Sequence, residues 1–191
     1  MNRIEALRHV LTTGTVNHKK QVMAERTLKG AHSYCVANRV SSQQVGTLIE
    51  GYMINTMGFK KVPASECRGD FLKAGLSYEL KVSLGGSDYN KPKYNYVQIR
   101  PAHTIDRYLL TAFHLSHGNV EDGGELYVFD VPSEEMKSIV VDHGGYAHGT
   151  TKENGKINKE NLGNFEYAIR PTIGSKCWDR LMKHIIYDIT G

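Results

Sequence analysis

The sequence predicts an α/β chain of the α+β type, with a central mixed β-sheet flanked by helices. Three observations predict it. Strand-length apolar runs fall at residues 67–83 (two short strands and a tight turn), 94–100, 108–115 and 125–131. Capped apolar stripes at helical spacing fall near both ends and at residues 41–57. Turns rich in glycine, asparagine and proline separate them. A chain of 191 residues suits one domain, and a domain of that length buries about 70% of its unfolded surface, so no disulfide or structural metal is required. That single domain, 1–191, divides into a helical N-terminal region (1–40), a core (41–131) and a loop plus C-terminal helix (132–191).

Composition is that of an ordinary globular protein, 40% hydrophobic and 23% charged. The 24 basic and 20 acidic residues leave a formal charge of +4, which permits an anionic partner without demanding one. No apolar run approaches the roughly 20 residues that span a bilayer, so no membrane role is expected. The first residues carry no apolar core, so a signal peptide is not expected either. The three cysteines, Cys35, Cys67 and Cys177, are odd in number and far apart. That argues against a disulfide framework and a zinc ribbon, and a reducing, cytoplasmic location is expected.

In order, Asn2 and Glu5 form a capping-box pattern ahead of Ile4, Leu7, Val10 and Leu11, with Gly14 as the stop. A second helix is expected over 17–29, polar on one side and ended by Gly30. Ser41 and Gln44 open a third, whose buried stripe is Val45, Leu48, Ile49, Tyr52, Met53 and Met57, and which also carries Glu50. Residues 84–93 read as a loop. Its Ser87, Asn90, Lys91 and Lys93 suit phosphate and base-edge contacts. In the strand at 94–100, period two puts Gln98 and Arg100 on one face. A helical turn is expected near 103–107, then an antiparallel hairpin from 108–115 to 125–131, then a short helix capped by Ser133. Residues 143–156 lack periodicity and form a long loop, whose His143, Tyr146, His148 and Lys152 could contact a polar polymer. A capped helix at 175–189 buries Trp178, Leu181, Met182 and Ile185.

The chemistry concentrates in the stretch at 67–83. Strand side chains alternate, so Glu79 and Lys81 share a face. If the two strands pair, Asp70 meets that face. Two carboxylates and an ammonium then converge, the equipment of a divalent-metal site for phosphodiester hydrolysis. Competing readings lack their motifs. The nine histidines include no H-E-x-x-H, and neither a G-x-S-x-G elbow nor a phosphate-binding G-x-x-x-x-G-K-[ST] occurs.

The acid at 70, the Glu79-Leu80-Lys81 triplet and the helix with Glu50 upstream resemble the PD-(D/E)XK nuclease superfamily, and within it the small type II restriction endonucleases. The resemblance covers residues 41–131. It departs from the family pattern before the first acid, where Gly69 stands in place of proline. It implies a restriction-endonuclease-like catalytic core. Asp70 and Glu79, with the Leu80 carbonyl, would hold Mg2+ (Mn2+ substituting); Lys81 would orient the attacking water; Glu50 would be a further catalytic acid. Ser83, Gln98 and Arg100 join the loop residues above as DNA contacts. The implied activity is site-specific cleavage of double-stranded DNA by a homodimer. A repair or junction-resolving nuclease is the alternative within that class, and a non-catalytic DNA-binding module on the same scaffold the alternative outside it.

Overall fold

The computed structural model describes Ile4 and residues 17–63, 65–66, 68–85, 91–163 and 165–187. The helix expected near the N-terminus, apart from Ile4, lies outside the described residues, as do Cys67, Ser87 and Asn90.

From residue 17 on, among the described residues, three helices precede the first strand: α1 (His18–Ala24), α2 (Leu28–Ala37) and α3 (Ser42–Thr56). The single helix expected over 17–29 is therefore two. Glu25 is extended, and the Thr27 side chain starts a new helix by accepting from the N–H of Gly30. A side chain that satisfies an early helical N–H offsets the cost of breaking the first helix. Gly30 thus lies inside α2 and stops nothing.

The strands β1 (Lys60–Lys61), β2 (Phe71–Lys73), β3 (Leu76–Leu84), β5 (Arg107–His114) and β6 (Glu125–Pro132) form a mixed sheet in the order β1-β2-β3-β5-β6. Only β3 and β5 run parallel. The β2–β3 turn is two residues long. Ala74 and Gly75 both have positive φ, 50° and 82°, the signature of a type I′ turn, which matches the twist of the strands it joins. Glycine takes that conformation without strain; Ala74 does not.

The remaining strand expected in this succession, β4 (Tyr96–Ile99), belongs elsewhere. It pairs with β8 (Tyr167–Ile169), which pairs with β7 (Gly144–Tyr146), in a separate three-stranded sheet. Period two also fails within β4. Gln98 has φ 57° and the register shifts there, so Val97 and Gln98 are both exposed between buried Tyr96 and Ile99. Gln98 and Arg100 do not share a regular strand face.

Each face of the central sheet carries its own core. On one side Phe71, Tyr78, Leu80, Leu109 and Val128 pack with Val45, Ile49 and Met53 of α3. On the other, Tyr108, Leu110 and Ala112 pack against the small sheet, α4 (Ser133–His143) and α6 (Lys176–Met182). Pro132, rather than Ser133, holds the cap position of α4. The loop at 143–156 contains β7 and a one-turn helix, α5 (Thr151–Asn154). No helix forms at 103–107. The C-terminal helix ends at Met182, and the chain then runs along the edge of β6, where Ile186 N–H donates to Val128 C=O at 2.8 Å. No helix among the described residues is long and apolar enough to cross a membrane.

Candidate active site

Asp70 stands just outside the β2 ladder. Its N–H donates to Tyr78 C=O at 2.7 Å, and its Oδ2 accepts from Leu80 N–H at 2.7 Å. The two bonds lie either side of Glu79, so the Asp70 carboxylate sits against the strand that carries the other two residues. Leu80's N–H and C=O leave the strand on the same side, so its carbonyl also faces Asp70.

The kink that brings Asp70 here depends on Gly69. Its φ is 83°, and a Cβ at that position would meet the Tyr78 carbonyl oxygen at 2.4 Å. Proline, with φ held near −65°, cannot take this conformation. The departure from the family pattern therefore has a backbone cause.

Glu79 and Lys81 project from the same face of β3 and form an ion pair, Nζ to Oε1 at 2.6 Å, with side chains only 13% and 15% exposed. Burial raises the Asp70 carboxyl to about 6, and the nearby negative charges of Glu79 and Glu50 add to the effect; the Leu80 bond and Lys81 oppose it. A carboxyl raised in this way, between a second acid and a cation, marks a site where a positive ligand would relieve repulsion.

Glu50, on α3, is ion-paired to Lys61 at 3.3 Å, on the side of the sheet facing the helices. The structure thus unites Asp70, Glu79, Lys81 and Leu80, and places Glu50 close enough to influence Asp70 by charge. The hard oxygens of Asp70, Glu79 and the Leu80 carbonyl fit Mg2+, which usually takes one or two carboxylates, several waters and substrate phosphate. Among the described residues, no three histidine, cysteine, aspartate or glutamate side chains gather as a metal-holding group.

The residues predicted to contact DNA fare unevenly. Ser83 is buried, and its Oγ accepts from Asn95 N–H at 2.8 Å, so it is not offered to a ligand. Tyr146 is also buried, its hydroxyl donating to the carbonyls of Asn154 and Gly155 at 3.1 and 3.0 Å. Lys91, Lys93, Gln98 and Lys152 are exposed, and His143 ends α4. Arg100 and His148 meet at Glu166, which takes Arg100 on one oxygen and His148 Nε2 on the other at 3.4 Å. Arg100 is also tied to β5, the neighbour of the strand that carries Glu79 and Lys81. Tyr108, the register partner of Glu79, donates its hydroxyl to the Arg100 carbonyl at 3.2 Å.

Sequence reasoning missed Lys61 and Glu166. Glu166 lies 66 residues from Arg100 and carries no local signal. Lys61 had one: the Lys60-Lys61 doublet just before the hairpin must place one lysine on each face of an edge strand.

No family model matches the chain, and no curated protein matches it. Among solved structures, FMN-bound TdsC from Paenibacillus sp. A11-2 is similar at 12% identity with a TM-score of 0.18, over 83% of this chain. The chain spans 38% of that protein's length. Similarity of this size carries no argument about fold or function.

Proposed function

We propose that the chain is a Mg2+-dependent endonuclease that hydrolyses phosphodiester bonds in double-stranded DNA, a type II restriction enzyme acting as a cytoplasmic homodimer. The observation that carries this reading is the placement of Asp70 against Glu79-Leu80-Lys81, with an acid–lysine pair in the same short strand. Asp70, Glu79 and the Leu80 carbonyl would hold Mg2+. When bound, the ion lowers the pKa of a coordinated water and neutralises charge developing on the phosphate.

The chain's own residues supply the rest. Lys81, only 15% exposed, is held by Glu79 at the height of the Leu80 main chain. A cation there orients a water and stabilises the extra negative charge of the transition state, typically worth about 3–4 kcal/mol for one well-placed donor. Tyr108 and the other buried residues of β5 beside Glu79 form a wall that keeps bulk water from that side of the carboxylate. A C2 dimer would present one such site to each strand of a palindromic duplex.

The test is cleavage of duplex DNA with and without Mg2+ by the wild type and by Asp70→Asn. Metal-dependent cutting by the wild type alone supports the reading. Protein that shifts DNA in a gel but never cuts it in Mg2+ or Mn2+ is a binding module instead.

A further inference from the structure

Asp70 lies between two acid–lysine pairs, and the nuclease reading uses only one of them. The second is Glu50–Lys61. Lys61 is in register with Phe71, whose side chain faces the helices, so Lys61 leaves the edge strand on the helix side. Lys60, one residue earlier, leaves on the opposite face. Within the pair, Glu50 is 22% exposed and Lys61 67%. The acid is the fixed member and the lysine the free end.

The pair stands at a cavity of about 230 Å³ between α1 and α3, whose lining includes Lys19, Thr47 and Asn55 as well. This space shares Lys19, Thr47 and Leu48 with a larger groove of about 550 Å³ that reaches Gln43 and Asn17. Two lysines and a single carboxylate line the inner part beside the apolar Met23, Leu48 and Ile54, with hydroxyl and amide groups there and further amides beyond. That is the composition of a surface that takes a phosphate and the sugar next to it. Asp70 does not line this space, but its main chain borders the same edge: Val62, which follows Lys61, donates its N–H to Asp70 C=O at 3.0 Å, and the Glu50 charge reaches the Asp70 carboxyl.

Resting on the nuclease reading, we infer that the groove between α1 and α3 binds the DNA backbone beside the cleaved bond, with Lys61 and Lys19 contacting phosphate. Glu50 in this arrangement is the resting partner of Lys61 and not a metal ligand. A lysine held by one carboxylate at a solvent-facing edge can exchange that partner for a phosphate oxygen without crossing a buried, uncharged interior.

The test is binding of a labelled duplex in EDTA, read by fluorescence anisotropy across a salt series. Lys61→Gln and Lys19→Gln should each weaken binding several-fold and flatten the slope of log K against log salt by about 0.9, the loss of one phosphate contact. Lys61→Arg should restore both, which separates a binding role from a folding defect. Glu50→Gln, which removes the carboxylate that phosphate must displace, should bind at least as tightly and should not need several-fold more Mg2+ for cleavage. A wild-type slope in Lys61→Gln overturns the inference. So does a Glu50→Gln protein that binds normally but needs several-fold more Mg2+. Wild-type protein that binds no duplex even at low salt removes the nuclease reading itself, a result distinct from all of these.

Discussion

The Asp70 carboxylate accepts the main-chain N–H of Leu80 at 2.7 Å, and this bond joins the two halves of the candidate site. It fixes the first acid against the strand carrying the second acid and the lysine. Asn at position 70 can keep the bond through its amide oxygen while losing the charge. Asp70→Asn should therefore fold and bind DNA but cleave at least about a hundredfold more slowly in Mg2+, consistent with the loss of a group worth about 3 kcal/mol at the transition state. Single-turnover cleavage of a duplex measures it. Lys81→Met should lose a similar factor without losing Mg2+ binding.

The same carboxylate should make stability depend on pH. Asp70 titrates at about 6 in the folded chain, against an ordinary value of 3.8. Between those values the folded state holds a proton that the unfolded state has released. Stability contributed by the protonated form is thus complete below about pH 4 and falls as pH rises through about 6. Asp70→Asn removes that penalty. It should raise the melting temperature at pH 7.5, by an amount corresponding to on the order of 2 kcal/mol, and should give no gain at pH 4. Equal gains at both pH values would contradict the assignment.

Metal should reverse part of the same penalty. On the proposed reading Mg2+ would bind the folded site and not the unfolded chain, so adding it at pH 7.5 should raise the melting temperature with increasing concentration. The Asp70→Asn protein should show a much smaller rise. Thermal melts with Mg2+ and after EDTA addition measure both.

Gly69 should tolerate no side chain. With φ at 83° and the Tyr78 carbonyl 2.4 Å from an added Cβ, Gly69→Ala combines backbone strain with a clash against main chain. A loss of about 1–3 kcal/mol in urea denaturation is expected, together with reduced cleavage, since Asp70 is the next residue. Gly69→Pro should be worse despite matching the family pattern. Its ring cannot reach positive φ.

How much of this was legible in the sequence follows from the range of the interactions. The meeting of Asp70, Glu79 and Lys81 was legible because two short-range rules determine it. Residues two apart share a strand face, and a two-residue turn with Gly75 sets the register that brings Asp70 back to Glu79. The β5–β6 hairpin was legible for the same reason. The break between α1 and α2 was not, because 17–29 keeps helical composition throughout and only Thr27's capping bond reveals the restart. The departure of β4 into a second sheet was hidden too. Its partner β8 lies about seventy residues away, and the positive φ of Gln98 defeats period-two reasoning. Ser83 and Tyr146 looked like polar contacts because their type suits DNA, but each hydroxyl is occupied by a local main-chain partner. The Arg100–Glu166–His148 cluster depends wholly on that second sheet.

The most direct test of the central claim is digestion of a mixed-sequence plasmid by purified protein in Mg2+, with the ends of the products sequenced. The account predicts discrete fragments sharing one short sequence at their ends, produced by the wild type and lost in Asp70→Asn, in Lys81→Met and in EDTA. Intact plasmid with the wild type, or the same fragments from Asp70→Asn, would contradict it.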